Sequence, residues 1–124
     1  MKIPFNKTVL MFAILLLASG CKEDPNRHLK LGKWYAQKGL VEEAILEFKE
    51  VTRLYPEPHT NLTRDEYQTL SKAHYNLSLM YTKKGWWDYA LQEAEVCFQM
   101  LPTKDHYDLV TLIKQRAELE KSDI

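Results

Sequence analysis

The amino-acid sequence predicts an all-α protein: two helical hairpins and a closing helix. Three observations carry that expectation. First, Leu31, Gly32, Tyr35, Gly39, Ala44, Phe48 and Pro56 are matched by Leu77, Ser78, Tyr81, Gly85, Ala90, Ala94 and Pro102, every pair 46 residues apart. Repetition at a fixed period marks stacked supersecondary units. Second, each series has a glycine midway and a proline at its end, the punctuation of helix, turn, helix and stop. Third, apolar residues between these marks fall at helical spacing, as in Tyr67, Leu70, His74, Leu77 and Tyr81.

The first element is an address. Met1 to Lys7 holds two lysines and no acid, and Val9 to Ala18 is an unbroken apolar run of ten. Ten helical residues rise about 15 Å, half of a bilayer's hydrocarbon core. The run is too short to span and has the three-part form of an export signal. Leu17, Ala18, Ser19, Gly20 and Cys21 follow in the order of a lipobox, and the segment resembles the signal of bacterial lipoproteins. The resemblance implies cleavage after residue 20, acylation of Cys21 and a lipidated tether over 21–26. Lys22, where an aspartate would imply inner-membrane retention, implies the outer membrane, facing the periplasm, in a source with two membranes.

The second and fourth elements are the repeats, residues 25–58 and 71–104. Gly39 and Gly85 suit left-handed helix ends, which exclude most other residues. Ala44 and Ala90 are small enough for close helix approach. Phe48 is expected to fill the space between neighbouring hairpins. Pro56 and Pro102 stop the second helices because the ring clashes with the preceding turn. This pattern resembles the tetratricopeptide repeat, with departures at Ser78 (glycine in the family) and Ala94 (an aromatic). The resemblance implies a short right-handed solenoid over residues 27–124.

The third element, residues 59–70, separates the copies. Thr63 with Glu66 three residues on is a capping-box pattern, so the insertion reads as a short loop plus about two extra turns on the third helix. This extension bears a narrower similarity to the repeats of outer-membrane assembly lipoproteins. The fifth element is a capping helix over 105–121. Leu109, Val110, Leu112, Ile113, Ala117 and Leu119 cover half its circumference, wider than one packing contact requires.

Composition excludes several classes. An apolar share of 45% with 27% charged residues is ordinary for a globular chain. Removing residues 1–20 takes Lys2 and Lys7, and no acid, from 17 basic and 17 acidic side chains, leaving 104 residues at net −2. That balance argues against nucleic acid, which demands a basic excess. No metal-ligand spacing, nucleophile motif or phosphate-binding glycine loop occurs, so no enzyme, cofactor or metal is expected. His28 and His74 share a repeat position and read as packing residues; His59 falls in the loop and His106 near the cap's start. Cys97 reads as a small buried residue, Trp87 as packed and Trp86 as an exposed turn residue. The sequon Asn61-Leu62-Thr63 is without meaning in a bacterial lipoprotein.

Charge is segregated. Residues 27–38 hold four bases and no acid, and residues 42–53 hold four acids against two bases. Residues 64–84 hold four bases against two acids, and residues 88–101 hold three acids and no base. First helices are basic and second helices acidic. In tetratricopeptide proteins first helices line a concave groove that binds partner segments. Carried over, those positions are Lys33, Gln37, Lys72, Tyr75, Asn76, Leu79 and Lys83, with Arg116 on the cap. The two-carboxylate clamp of chaperone-binding relatives is not reproduced, because Asn76 fits but Leu29 replaces a basic residue. The expected function is a membrane-anchored, non-catalytic adaptor that binds a protein or peptide in the bacterial envelope. The alternative is a small structural lipoprotein that forms homo-oligomers through its C-terminal helix.

Overall fold

The structure, a computed structural model, describes residues 23–123. The apolar run, the lipobox and Cys21 lie outside the described residues. Five α-helices account for most of what is described, and no strand occurs there.

Helix α1 spans Pro25–Gln37. Asp24 caps it, its Oδ1 accepting from the Asn26 amide at 3.0 Å, and Pro25 stands at the first helical position, where a missing N–H costs nothing. The helix stops at Lys38, and Gly39 turns the chain with φ +76°. Helix α2 spans Val41–Leu54 and ends before Pro56. A short 3-10 turn over His59–Asn61 follows, its His59 Nε2 donating to the Tyr55 carbonyl at 2.8 Å. Helix α3 spans Arg64–Lys84. Its start carries the expected capping box: Thr63 Oγ1 accepts from the Glu66 amide and Glu66 Oε1 from the Thr63 amide, both at 3.2 Å. It therefore begins seven residues ahead of the position that matches the start of α1, which is the two-turn extension read from the insertion.

Gly85, with φ +73°, ends α3 as Gly39 ends α1. Helix α4 spans Trp87–Met100 and α5 spans Lys104–Ser122, the latter capped by Thr103 Oγ1 accepting from the His106 amide at 3.2 Å. Each helix packs on its successor, and α1 also packs on α3. The architecture is an all-α stack of helical hairpins, compatible with a repeat fold.

The core runs through every helix: Leu29, Ile45, Phe48, Val51, Leu70, Leu77, Met80, Leu109 and Ile113 are buried. Small residues set the helix spacing, and Ala44, Ala90 and Ala94 are fully buried. Phe48 shows why α1 carries a glycine. A Cβ on Gly32 would lie 2.6 Å from Phe48 Cε1, so the ring occupies the volume a side chain would need. This places a main contact of Phe48 inside the first hairpin, where the sequence suggested the gap between hairpins. In the second hairpin Ser78 and Ala94 take the two positions, and Ser78 Oγ donates to the Ala90 carbonyl at 2.9 Å. The apolar half of α5 is divided. Leu109, Val110 and Ile113 are buried, whereas Leu112 and Leu119 are 53% and 59% exposed.

Candidate functional site

The residues that the sequence singles out for binding sit on α1, α3 and α5. Thr69 Oγ1 donates to Asn26 Oδ1 at 3.0 Å, which marks the side of α1 that faces α3. Lys33 and Gln37 lie two and three turns along from Asn26 on that side, and both are exposed. On α3, Lys72, Tyr75, Asn76, Leu79 and Lys83 recur at helical spacing and share one face. Lys72 and Lys83 are exposed; Tyr75, Asn76 and Leu79 are half-buried. The Tyr75 ring lies 5.6 Å from the His106 ring of α5, centroid to centroid, so this face continues toward the cap. Asn76 Nδ2 donates to the Lys72 carbonyl at 2.7 Å, which directs part of that amide back to its own helix. Arg116 is exposed on α5, and no hydrogen bond or ion pair ties it to the other seven.

Electrostatics separates these cations from the rest of the molecule. None of Lys33, Lys72, Lys83 and Arg116 forms an ion pair with another described residue. Acids of the second helices are engaged. His28 Nδ1 bonds Glu47 Oε2 at 2.6 Å, and His74 Nδ1 bonds Glu93 Oε2 at 2.5 Å. Lys84 binds Glu42 at 2.6 Å, and Lys114 reaches Glu95 at 3.8 Å. The Lys84 ion pair and hydrogen bond hold the Glu42 carboxyl below the ordinary carboxylate value. The result is a face with free positive charge around half-buried apolar side chains.

The histidine–glutamate pairs are what reading by single residues missed. The sequence singled out His28 and His74 but not Glu47 and Glu93, although these two are also 46 apart. Each pair ties the first helix of a hairpin to the second, so both histidines are occupied by the fold.

Other chemistry-bearing groups are likewise committed. Cys97 is fully buried, with Sγ 3.5 Å from the Ser71 carbonyl and 3.5 Å from His106 Nδ1. His106 Nδ1 donates instead to the Leu101 carbonyl, at 2.7 Å. Burial pushes the Cys97 thiol up, a hydrogen bond from Ser71 opposes that, and the Glu93 charge adds to it. A buried, protonated thiol is a poor nucleophile. Glu23, His28 and Glu50 bring ligand-capable atoms within 4.8 Å of one another. Arg53 already binds both carboxylates, through Glu23 and at 2.8 Å through Glu50, so the group is a satisfied ion-pair cluster.

Neither a family model, a curated protein nor a solved structure matches the chain at a significant level.

One cavity, of about 720 Å³, opens elsewhere, at the turn between α3 and α4. Ile45 and Lys49 of α2, Trp86, Trp87 and Tyr89, and Ala117 of α5 line it. Trp86 is 46% exposed and stacks among Tyr81 and Tyr89, at 6.0 and 6.3 Å, as a turn residue would. Trp87 is half-buried, and its Nε1 is sealed from solvent with no hydrogen-bond partner. None of the eight sequence-predicted residues lines this cavity. Among the described residues no helix is long and apolar enough to cross a membrane.

Proposed function

We propose that this chain is a lipid-anchored, non-catalytic adaptor that binds a protein segment across the face built by α1, α3 and α5. One observation carries the reading. Lys33, Lys72 and Lys83 are free of ion pairs beside half-buried Tyr75 and Leu79, while acids of the second helices are engaged elsewhere. Free cations around an apolar strip suit an acidic segment that also carries apolar side chains. The cations steer the encounter and the strip slows release. The repeat-like spacing supports a tetratricopeptide-type stack in which this face is concave.

The anchor follows from the resemblance of Leu17 to Cys21 to a lipobox. Acyl chains contribute about 0.8 kcal/mol per buried methylene, and stable anchoring takes more than one chain. Three residues, 22–24, join Cys21 to α1 and reach at most roughly 10 Å, so the domain stays at the membrane surface. Such an adaptor would serve assembly or regulation of an envelope complex. Replacing Cys21 with serine should release the chain from the membrane fraction; a chain that still sediments fully with membranes refutes acylation as its anchor. A photoreactive side chain at position 75 should crosslink a discrete partner in intact cells, and one at Gln99 on α4 should not. Equal crosslinking from both positions refutes the face.

A second reading has its own observation. Leu112 and Leu119 are exposed one heptad apart on α5, a seam that a second copy could cover. That reading requires the chain to be larger than a monomer in solution, and Leu112→Glu to return it to one.

A further inference from the structure

The outer edge of α1 carries a second basic surface, distinct from the proposed binding face. Two contacts mark the side of α1 that faces α2: the His28–Glu47 bond and the Phe48 ring seated on Gly32. The Asn26–Thr69 bond marks the side that faces α3. Arg27, Lys30, Trp34 and Lys38 point to neither. At 100° per residue they fall within an arc of about 80°, and they run roughly 16 Å along the helix.

All four are exposed, Trp34 by 50%, and Lys38 Nζ sits 5.8 Å from the Trp34 ring centroid. Helix α1 contains no acid. Arg27, Lys30 and Lys38 form no ion pair with any described residue. The flanking acids are spoken for, Glu47 by His28 and Glu23 and Glu50 by Arg53. Glu43 is the α2 acid left without a partner among the described residues.

We infer that this stripe is a membrane-docking face, and that its occupant is an anionic phospholipid surface. Charge complementarity supports that occupant: three free cations and no acid share the stripe with an exposed tryptophan. Tryptophan and lysine favour the bilayer interface, where an indole sits at headgroup level and an ammonium meets phosphate. Position supports it too. Arg27 follows Cys21 by six residues, and the most apolar segment of the chain, residues 9–18, lies immediately upstream. The stripe is therefore held within reach of whatever membrane that segment or its acylated cysteine engages, and in that respect the inference rests on the anchor proposed above. Docked this way, α1 lies along the surface by its outer edge. Lys33 and Gln37, on the α3 side, remain open to a partner. The membrane would thus fix the orientation of the binding face as well as its distance.

The test uses the full chain on vesicles of phosphatidylcholine, with or without phosphatidylglycerol, containing a phospholipid brominated near the headgroup. Flotation with neutral vesicles reports the anchor. Quenching of Trp34, taken as the difference between wild type and Trp34→Phe, reports the stripe. Quenching is expected on anionic vesicles only, and it should disappear in high salt. It should also disappear in a variant carrying Arg27→Glu, Lys30→Glu and Lys38→Glu, since each cation is worth about fivefold at an anionic surface. All four positions are exposed, so the variants retain the fold, which circular dichroism verifies. A chain that floats while Trp34 stays unquenched overturns the stripe and leaves the anchor standing. Equal quenching on neutral vesicles overturns the electrostatic recognition. Binding to anionic vesicles alone, with Trp34 quenched, supports the stripe and refutes the anchor.

Discussion

At the scale of single residues, the two hairpins solve one packing problem in two ways. The first places a fully buried phenylalanine over a glycine, and the second has a fully buried alanine and a fully buried serine at the matching positions, the serine hydroxyl bonding the Ala90 carbonyl. Gly32→Ser in the wild-type background should be destabilising by about 1–3 kcal/mol through overpacking against Phe48. Phe48→Ala alone should cost about 3–5 kcal/mol through the cavity it opens. The double variant rebuilds the arrangement of the second hairpin and should lose less than the sum, as urea unfolding of all four chains would reveal. Strict additivity would mean that the two positions do not share one volume. Cys97 gives a second prediction at this scale. Its thiol is buried and held above the ordinary value, so alkylation should be negligible in the folded chain even under mildly alkaline conditions. Modification should track unfolding; rapid modification without denaturant would show that the Ser71–Cys97–His106 contact is open.

At the scale of elements, the repeated His–Glu bonds join the first helix of each hairpin to the second. The His74 and Glu93 side chains are 13% and 21% exposed, so their bond is less screened than one in open solvent. A double-mutant cycle with His74→Ala and Glu93→Ala should show a coupling of about 1 kcal/mol or more. The same cycle on Lys104 and Asp108, an exposed i,i+4 pair at 2.6 Å, should give about 0.3–0.5 kcal/mol. Equal couplings would remove the special role of the half-buried pairs. Thr63→Ala, which deletes half of the capping box on α3, should cost about 1 kcal/mol in the same assay. Element starts and stops were legible because local chemistry sets them: Gly39 and Gly85 at positive φ, Pro56 and Pro102 beyond the helix ends, Thr63 with Glu66 at the start of α3. Phe48 was less legible. A buried ring's neighbour is chosen by tertiary geometry, and a repeat position alone does not say which glycine it covers. On α5 the wheel showed an apolar arc wider than one packing contact requires, but not which of its residues would be covered. It counts apolar residues around a helix, whereas α4 covers only Leu109, Val110 and Ile113 fully enough to bury them.

At the scale of the whole molecule, the net charge says little and its placement says more. Three bases on α1, with a fourth at its Lys38 cap, and three acids on α4 fall on different elements of the stack, and the structure engages most of the acids while leaving the cations of α1 free. Segregation of charge by helix was legible from the chain. Its division on α1 into a side facing α3 and an outer edge was not, because that division depends on where α2 and α3 pack. The candidate face was legible as a set of positions, and the structure places seven of the eight on adjoining faces of α1 and α3. The Glu47 and Glu93 partners were visible at the same 46-residue offset. They pass unnoticed when attention goes only to residues that could carry chemistry.

The binding face depends on a partner being held by the free lysines of α1 and α3. The most direct measurement is the yield of partner crosslinked from position 75 in cells expressing either the wild-type charges or Lys33→Glu, Lys72→Glu and Lys83→Glu together. Reversing three exposed cations leaves the core untouched, so helix content should be unchanged. The crosslink yield should fall by about tenfold or more as steering turns to repulsion. An undiminished yield from the charge-reversed chain would contradict that dependence.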